Sequence, residues 1–453
     1  MSSTSPLSPS ADCLIHARWV LPMNHPGRCL EHHSLALAGS RIVAIGPTAE
    51  IQARYPQPRQ QLHLDSHVVL PGLINAHTHS PMNLLRGFAD DLPLQAWLER
   101  AIWPAENRIM GEAYAAEGTR LAIAEMLLGG VTCFTDMYFF AEDSARVADE
   151  CGIRAHFASP VFDSATAWGA NADDYLDKAT RLHDRYRHHE RISALFGPHA
   201  PYTVSDAPLR RIAMLAEELD VGIHIHLHEN AGEITQAMAS HGLRPLQRLR
   251  QLDLLSPRLQ AVHMTQLAPA DLPLLAEHRV NVVHCPASNM KLASGICPVP
   301  ALLEHGVNVA LGTDGSASNN NLDMFEEMKL ACLLAKTATG DAAALNAWQA
   351  LAMATRNGAA MLGLEQELGT LETGKRADII AVNLDAPNTL PVYDPASTLV
   401  YSADPSQVSH VWVDGQLLVQ ERRLTRMNLD DCLENARRWG QDIIRLTTQE
   451  LAS

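Results

Sequence analysis

The amino-acid sequence predicts an α/β fold class: a (β/α)₈ TIM barrel with a small β-sandwich-like domain built from both chain ends. From about residue 60 onward, short apolar runs alternate with amphipathic helical stretches, an order that indicates a parallel sheet. Eight such strand–helix units fit within roughly 300 residues, the usual size of this barrel. Segments rich in β-forming residues near both termini supply the small domain.

These observations predict four regions along the chain. We expect residues 1–66 to form the N-terminal part of the small domain and residues 67–365 to form the barrel. Residues 366–425 are expected to complete the small domain, and residues 426–453 to form a C-terminal helix.

The elements are predicted in chain order. LALAGSRIVAIG is expected to form a hairpin that turns at Gly39-Ser40. The eight barrel strands are then HVVLPGLINAHTH, VTCFTDM, RAHFASPVF, ISALFGPHAP, GIHIHLHE, LQAVHMTQ, VNVVHCPAS and VNVALGTDG. Intervening stretches such as APLRRIAMLAEELD carry apolar residues at helical spacing. AWQALAMATRNGAAMLGL predicts a helix ending near Gly363, a second hairpin turns at Asp414-Gly415, and LDDCLENARRWGQDIIRLTTQEL predicts a helix.

Composition excludes several classes of protein. The net charge of −16, from 35 basic and 51 acidic residues, argues against a nucleic-acid binder, which needs a basic face. The eight cysteines include no Cys-x-x-Cys pair, which argues against a zinc ribbon or a thioredoxin-type redox site. The start, MSSTSPLSPSAD, lacks the regions of a signal peptide, and no apolar run is long enough to span a membrane. We therefore expect a cytoplasmic protein that binds neither nucleic acid nor membranes.

Histidines gather at the ends of the predicted strands. Residues i and i+2 of a strand face the same side, so His77 and His79 should converge. The later strands contribute His199, the three histidines of HIHLHE, His263, His284 and Asp314. A single His-x-His motif is weak evidence. The whole set predicts one site, because the C-terminal strand ends build the active site of this barrel.

These residue types favour a metal ion. Neutral imidazoles and carboxylates are typical zinc ligands, and a catalytic zinc keeps one position open for water. His77, His79 and Asp314 can supply ligands together with one histidine of the fifth strand. Spacing does not choose among the three histidines on the same face of that strand, which are His224, His226 and His228.

Two further residues are candidates for proton transfer. His263, one strand further round the barrel, could orient the bound water. Glu229 directly follows the fifth strand and is a candidate proton shuttle. The alternative for Glu229 is an exposed acid at the start of a helix.

Five motifs together resemble the amidohydrolase superfamily: HVVLPGLINAHTH, GPHAPYTVS, HIHLHEN, VHCPASNMKLASG and LGTDGSASNNNLDMFEEM. The resemblance covers nearly the whole chain and extends to the TRZ/ATZ-type branch and to the methylthioadenosine/S-adenosylhomocysteine deaminases. It implies hydrolytic deamination of the adenine ring of 5′-methylthioadenosine, adenosine or S-adenosylhomocysteine. It also implies a zinc cofactor and a small-molecule purine nucleoside as partner. We further expect a homo-oligomer.

The resemblance implies a role for each matching residue. The metal ligands would be His77, His79, His226 and Asp314. Glu229 would be the proton shuttle, and His263 would lie beside the metal-bound water, which makes these two and Asp314 the catalytic groups. The substrate would be contacted by His199 at the purine, by Glu106 of IWPAEN at the ribose hydroxyls, by Ser318, and by Glu229 and Asp314 at the reacting atoms.

The distribution of lysine predicts one Zn²⁺ per subunit. In two-metal members of the superfamily, a modified lysine at the end of strand four bridges the ions. Here that strand ends with His199, and the nearest lysine, Lys178, lies well before it.

Other activities remain open on the same scaffold. A deaminase of a free base such as guanine or cytosine, or an s-triazine hydrolase, would have no evident use for a ribose-binding acid at Glu106. A catalytically inactive relative that only forms assemblies is disfavoured, because every ligand position and Glu229 are occupied by suitable residues.

The segment between strands three and four bears on substrate choice. An amino-acid carboxylate is held best by arginine, and the resemblance implies that family members that use S-adenosylhomocysteine well offer one in this segment. Here VFDSATAWGANADDYLDK has none, and the first arginine after it is Arg181. We therefore expect methylthioadenosine and adenosine to be preferred over S-adenosylhomocysteine. Trp168 of this segment could pack on the substrate's thioether or ribose, or equally on the barrel wall.

Overall fold

The computed structural model of the protein describes residues 10–448, which contain two eight-stranded sheets. The predicted start of the small domain at 1–9 and the predicted end of the C-terminal helix at 449–453 lie outside the described residues. The strands are β1 (Cys13–Val20), β2 (Leu30–Ala38), β3 (Arg41–Pro47), β4 (Gln60–Pro71), β5 (Leu73–Thr78), β6 (Val131–Asp136), β7 (Arg154–Val161), β8 (Ile192–Pro198), β9 (Ile223–Leu227), β10 (Leu259–His263), β11 (Asn281–His284), β12 (Val309–Leu311), β13 (Ile379–Asn383), β14 (Val408–Val413), β15 (Gln416–Gln420) and β16 (Arg423–Leu424).

Helices follow most of the strands, as the sequence predicts. They are α1 (Thr48–Arg54), α2 (Leu94–Trp97), α3 (Trp103–Ile109), α4 (Glu112–Leu128), α5 (Ala141–Cys151), α6 (Ala172–Tyr186), α7 (Asp206–Leu219), α8 (Ala231–His241), α9 (Pro245–Gln251), α10 (Asp271–Glu277), α11 (Pro286–Lys291), α12 (Val299–Glu304), α13 (Ser316–Asn319), α14 (Met324–Thr339), α15 (Ala347–Met353), α16 (Arg356–Met361), α17 (Pro395–Tyr401) and α18 (Leu429–Thr448). A π-helical turn, Leu98–Ile102, joins α2 to α3.

The barrel consists of β5 to β12, paired in chain order, which confirms the predicted fold class. The first and last strands meet just beyond β12. There the backbone N–H of Asp314 donates to the carbonyl of His77 at 3.0 Å, and the N–H of Thr313 donates to Asn75 Oδ1 at 3.0 Å. This junction brings the residues after β5 and β12 together at the C-terminal end of the barrel.

The second sheet combines strands from both chain ends, in the order β16-β15-β14-β13-β4-β1-β2-β3. Both predicted hairpins are present, because Ala38 pairs with Arg41 across Gly39-Ser40 and Val413 pairs with Gln416. One face of this sheet forms its own apolar core around Ile15, Leu35 and Trp412. The two termini therefore build one small domain beside the barrel.

The first predicted barrel strand is in fact two strands. HVVLP belongs to β4, which pairs with β1 and β13, so the boundary predicted between residues 66 and 67 falls inside this strand. LINAHT forms β5 of the barrel. The chain changes sheet at Gly72, where a Cβ atom would lie 2.0 Å from Thr132 Oγ1 and only glycine fits.

The predicted helix over residues 347–364 is also divided. α15 ends at Met353, and α16 begins at Arg356. The reason is a competing hydrogen bond: the carbonyl of Ala354 accepts from the N–H of Ile74 in β5 at 2.8 Å. The helix is thus interrupted where it supports the first barrel strand.

Within residues 10–448, no helix combines the length and the apolar character that crossing a bilayer requires. All eight cysteines are unpaired, and none takes part in a disulfide.

Candidate active site

A cavity of about 320 Å³ opens among the residues that follow the barrel strands. This volume lies within the range of small-molecule sites. Eight residues predicted from the sequence line it: His79, Glu106, His199, His226, Glu229, His263, Asp314 and Ser318. His77 lies behind them and is fully buried.

The candidate metal ligands converge at the floor of this cavity. The Nε2 atoms of His77 and His79 lie 3.3 and 3.2 Å from Asp314 Oδ1. The potential ligand atoms of His77, His79 and His226 all lie within 4.8 Å of one another, as do those of His77, His263 and Asp314. Imidazoles and a carboxylate grouped in this way are the donor set that zinc prefers.

Hydrogen bonds from deeper in the barrel orient His77. Its Nδ1 lies 2.7 Å from His224 Nε2, and His224 Nδ1 lies 2.8 Å from Gln260 Oε1. Because the Gln260 oxygen only accepts, His224 carries its proton on Nδ1 and accepts the proton of His77 Nδ1. The Nε2 of His77 is then unprotonated.

The unprotonated Nε2 atom of His77 is suited to binding a metal ion. His77 Nε2 is buried, and it has no hydrogen-bond partner within the described chain. Its neighbour at 3.3 Å, Asp314 Oδ1, also presents lone pairs rather than a proton. Two buried acceptors facing each other are unfavourable alone and favourable around a cation, so the residues fit a zinc ion.

The other two candidate histidine ligands are oriented by backbone carbonyls. His79 Nδ1 lies 2.6 Å from the carbonyl of Met137, and His226 Nδ1 lies 2.8 Å from the carbonyl of His199. Each Nδ1 therefore donates, which leaves Nε2 as the ligand atom.

The structure also distinguishes the three histidines of the fifth strand. His226 alone lines the cavity, whereas His224 contacts His77. His228 is engaged on both nitrogens, since Nδ1 lies 3.1 Å from the Gln266 carbonyl and Nε2 accepts from the Leu246 N–H at 3.1 Å.

His79 differs from the other two histidines: against the effect of burial, the Asp314 carboxylate raises its pKa to about 9. Burial keeps His77 and His226 in their metal-binding form. It lowers the pKa of His77 to about 4 and the pKa of His226 well below its usual range. Both imidazoles are therefore neutral at pH 7, as a metal ligand must be.

Glu229 is buried and lies at the cavity wall. The alternative of an exposed helix start is wrong, because α8 begins at Ala231 and is capped by the side chain of Asn230. The carboxylate of Glu233 fixes the backbone by accepting the N–H of Glu229 at 2.7 Å. Burial raises the pKa of Glu229, which favours the protonated form that can donate a proton.

His263 lies at the end of β10, beside the candidate ligands. Its Nδ1 is 2.9 Å from Asn289 Oδ1 and therefore donates. The second ring nitrogen, Nε2, is left to accept a proton or a hydrogen bond from a water in the cavity.

Glu106 lies on α3, a short helix that covers the cavity, and is only 5% exposed. Its Oε1 atom accepts a hydrogen bond from the hydroxyl of Tyr138. Burial raises the pKa of Glu106 to about 7, against the opposing effect of this hydrogen bond. The side chain is therefore a polar group held at an otherwise apolar part of the wall.

His199 and Ser318 lie at two sides of the same cavity. The His199 ring stacks on Phe162 with centroids 4.6 Å apart, and burial lowers its pKa to about 3, so it is a neutral hydrogen-bonding group. The Ser318 hydroxyl lies 3.0 Å from Asp314 Oδ2, to which Ser288 also donates at 2.6 Å. Ser318 thus touches a candidate ligand.

Trp168, predicted as a substrate contact, is not among the residues that line the cavity. It packs on the rings of Tyr175 and Phe139, with centroids 5.8 and 6.3 Å away, and under the ammonium group of Lys178. Of the two positions that the sequence left open, Trp168 takes the one on the barrel wall.

A family model described as "Amidohydrolase family" matches residues 68–418. The chain belongs to the amidohydrolase family. A second model, an imidazolonepropionase-like composite domain of bacteria, matches residues 35–57 in the small domain. The resemblance inferred from the five motifs is therefore confirmed.

Individual relatives of this amidohydrolase can be aligned with it over almost its whole length. A 5-methylthioadenosine/S-adenosylhomocysteine deaminase of Teredinibacter turnerae is 48% identical over 98% of this chain and 99% of the relative. An adenosine deaminase structure from Xanthomonas campestris with bound zinc shares 46% identity at a TM-score of 0.95, covering 96% of this chain and 99% of its own. An atrazine chlorohydrolase from Arthrobacter aurescens with zinc shares 26% identity at a TM-score of 0.88, covering 94% and 99%. The chain is a metal-dependent aminohydrolase.

Sequence reasoning missed several residues that support this amidohydrolase site. Gln260 sets the tautomer of His224, Asn289 that of His263, and Tyr138 holds Glu106. Gln260 and Asn289 lie in quoted motifs, LQAVHMTQ and VHCPASNMKLASG, so their polar side chains in apolar surroundings were a usable signal. The sequence contained no signal for Tyr138, because no pattern in it predicts a contact between Tyr138 and Glu106.

Proposed function

We propose that this amidohydrolase removes the 6-amino group from the adenine ring of 5′-methylthioadenosine and adenosine, releasing ammonia and an inosine-type nucleoside. The observation that carries the proposal is the cluster of His77, His79, His226 and Asp314 beside the buried acid Glu229. Two of the relatives described above act, by their names, on methylthioadenosine, S-adenosylhomocysteine or adenosine.

In the proposed site, one zinc ion would be held by His77, His79, His226 and Asp314. When bound, it acts as a Lewis acid that lowers the pKa of a coordinated water toward about 7. Support for a single ion comes from strand β8, which is followed by His199 where a bridging lysine would be needed, while Lys178 lies on α6. Elemental analysis of the purified chain tests the stoichiometry.

The residues around the ligands supply the proton transfers. Glu229, whose pKa is raised by burial, donates a proton from its protonated form to N1 of the purine ring and makes C6 electrophilic. His263 and Asp314 hold the attacking water and accept its proton as its oxygen bonds to C6. The C6–N6 bond then breaks as the proton taken from the water passes to the leaving amino group and converts it into ammonia. The C6 hydroxyl returns a proton to Glu229 as it becomes the carbonyl of the product. One water is consumed for each ammonia released.

The remaining cavity residues orient the nucleoside. His199 would hydrogen-bond the purine, Ser318 would contact the reacting end, and Glu106 would accept the ribose hydroxyls. All three line the same cavity, which supports a substrate larger than a free base.

The cavity wall supports the expected preference for methylthioadenosine. None of the described residues that line it is a lysine or an arginine. Between β7 and α6 it is lined by Phe162, Ser164, Ala165 and Thr166, all uncharged. Two acids of this segment are engaged elsewhere: Asp163 accepts from the Ser205 N–H at 2.9 Å, and Asp174 lies 2.9 Å from Lys178. A carboxylate tail would thus meet no cationic partner.

Two other activities remain as alternatives, namely deamination of a free base and hydrolysis of an s-triazine. A coupled ammonia-release assay across adenosine, methylthioadenosine, S-adenosylhomocysteine, guanine and cytosine separates the nucleoside activity from the free-base activity, and atrazine tests the second alternative. Turnover of guanine, cytosine or atrazine without turnover of any adenine nucleoside would overturn the proposal. The cytoplasmic location and the homo-oligomeric state stay predictions.

A further inference from the structure

Glu106 and Tyr138 form a polar pair in the cavity wall, and the ring of the buried Tyr114 lies 6.2 Å from that of Tyr138. Both side chains are 5% exposed, and the Tyr138 hydroxyl donates to Glu106 Oε1. No other hydrogen bond to the Glu106 carboxylate is present within residues 10–448. Tyr138 therefore occupies one carboxylate oxygen and leaves the other, Oε2, available to a ligand.

The two partners are anchored to different parts of the molecule. Glu106 lies on α3, in the helical segment that covers the cavity, after the π-helical turn at Leu98–Ile102. Tyr138 lies two residues beyond the end of barrel strand β6. The pair is thus a contact between the cover and the barrel.

Tyr138 is also tied closely to the candidate metal ligands. The preceding residue, Met137, accepts from His79 Nδ1 through its carbonyl at 2.6 Å and donates its N–H to the Thr78 carbonyl at 3.0 Å. Asp136 accepts from the N–H of Ser80 through Oδ1 at 2.5 Å. A group bonded to Tyr138 is therefore held at a fixed position relative to His79.

We propose that Tyr138 is a positioning residue that determines the preference for ribonucleosides, by holding the Glu106 carboxylate where Oε2 meets the ribose hydroxyls. The inference rests on the proposed function, because it assumes a nucleoside in the cavity. The 2′- and 3′-hydroxyls of a ribose lie at a set distance from the reacting C6 atom, so the group that accepts their hydrogen bonds must be held at a matching distance from the metal site. Tyr138 fixes the distance of the Glu106 carboxylate from the metal site, because the adjacent residue, Met137, orients the candidate ligand His79.

The test compares adenosine with 2′,3′-dideoxyadenosine in the wild type and in Tyr138→Phe, which removes only the hydroxyl. We expect kcat/KM for adenosine to fall about tenfold, chiefly through KM, because a hydrogen-bonded carboxylate is freed. For the dideoxynucleoside, which has no hydroxyls to place, we expect a change within about twofold. An equal loss on both substrates would overturn the inference and indicate a purely structural role.

Two further variants sharpen the result. In a Glu106→Gln background, Tyr138→Phe should add little, since the two residues act as one unit. A further tenfold loss there would contradict the proposal. Tyr186→Phe, the same change at a buried position of α6 outside the cavity, is the matched control and should leave the substrate ratio unchanged.

The outcomes separate this inference from the proposed function. If the wild type releases no ammonia from either nucleoside, the proposed function itself fails. If the wild type prefers adenosine and Tyr138→Phe keeps that preference, only the role of Tyr138 fails. Should Tyr138→Phe not fold, Tyr138→His, which keeps a donor at this position, replaces it and is expected to retain more of the preference than Glu106→Gln.

Discussion

Glu229 combines burial, a raised pKa and a place beside the candidate ligands without being one of them. We expect Glu229→Gln to keep its zinc and to lose roughly 10²–10⁴-fold in kcat, the usual contribution of a general acid–base group. Ammonia release and zinc content are measured on the same preparation. Near-normal turnover at full zinc occupancy would exclude Glu229 from proton transfer.

His77 is the most informative ligand to remove, because its Nε2 atom has no hydrogen-bond partner among the described residues. We expect one zinc per chain in the wild type and a sharp loss of zinc in His77→Ala, since one ligand of the donor set is gone. Elemental analysis measures both. His63→Ala, an exposed histidine of β4, is the control and should keep its zinc. Two tightly bound ions in the wild type would contradict the lysine argument.

At the residue scale, the sequence predicted the functional residues at the strand ends better than the residues that hydrogen-bond to them. His79, His226, His263 and Asp314 could be found because alternation and strand position place them at one end of a barrel. The choice of His226 among three histidines needed the resemblance, since all three share one face. Tyr138 could not be found, because its contact with Glu106 depends on how the covering segment folds onto the barrel.

The segment that covers the cavity was the element least predictable from the sequence. It consists of α2, a π-helical turn and α3, with Pro104 near the start of α3. Proline removes a backbone donor, and a π turn changes the helical spacing, so the apolar pattern does not show a regular helix. The barrel strands, by contrast, are uniform apolar runs and were predicted in the correct order.

Gly72, the point at which the chain leaves one sheet for the other, gives a prediction at the element scale. A Cβ there would lie 2.0 Å from Thr132 Oγ1 and 2.6 Å from its Cβ, so Gly72→Ala forces the β5–β6 pair apart. We expect a loss of about 1–3 kcal/mol in the free energy of unfolding, as for overpacking elsewhere, measured by denaturant titration.

Gly440→Ala is the matched control for this substitution. Gly440 lies inside helix α18, and nothing lies within 4 Å of its added Cβ. Because alanine favours helix over glycine, this variant should be more stable by up to about 1 kcal/mol. Equal stability of Gly72→Ala and the wild type would mean that Thr132 can move aside.

At the scale of the whole molecule, the barrel is what assembles the site. Residues from β5, β9 and β10 and from the turn after β12 meet around one point, although the first and the last of them are more than two hundred positions apart in the chain. The small domain stabilises this arrangement from the opposite end of the strands. Arg154, at the start of β7, lies 3.0 Å from Asp378 and 3.5 Å from Asp414, both of the chain-end region, and all three are buried.

The cavity as a whole decides substrate choice, which gives the last prediction. Methylthioadenosine ends in an uncharged methyl thioether, whereas S-adenosylhomocysteine ends in a charged amino acid. Since no described lysine or arginine lines the cavity, the tail carboxylate lacks a charge-assisted hydrogen bond. That absence should cost about 1.5–3 kcal/mol, or roughly tenfold to a hundredfold in kcat/KM against methylthioadenosine.

The matched variants of this prediction are Ala165→Arg and Ala165→Gln, at an exposed position of the cavity wall between β7 and α6. The arginine should raise kcat/KM for S-adenosylhomocysteine relative to methylthioadenosine, because it can hold a carboxylate through two parallel hydrogen bonds. The glutamine, of similar length but uncharged, should not. Both ratios are measured by ammonia release under one buffer condition. If the wild type already uses S-adenosylhomocysteine as well as methylthioadenosine, the prediction is wrong, and the tail must find its cation outside the wall described here.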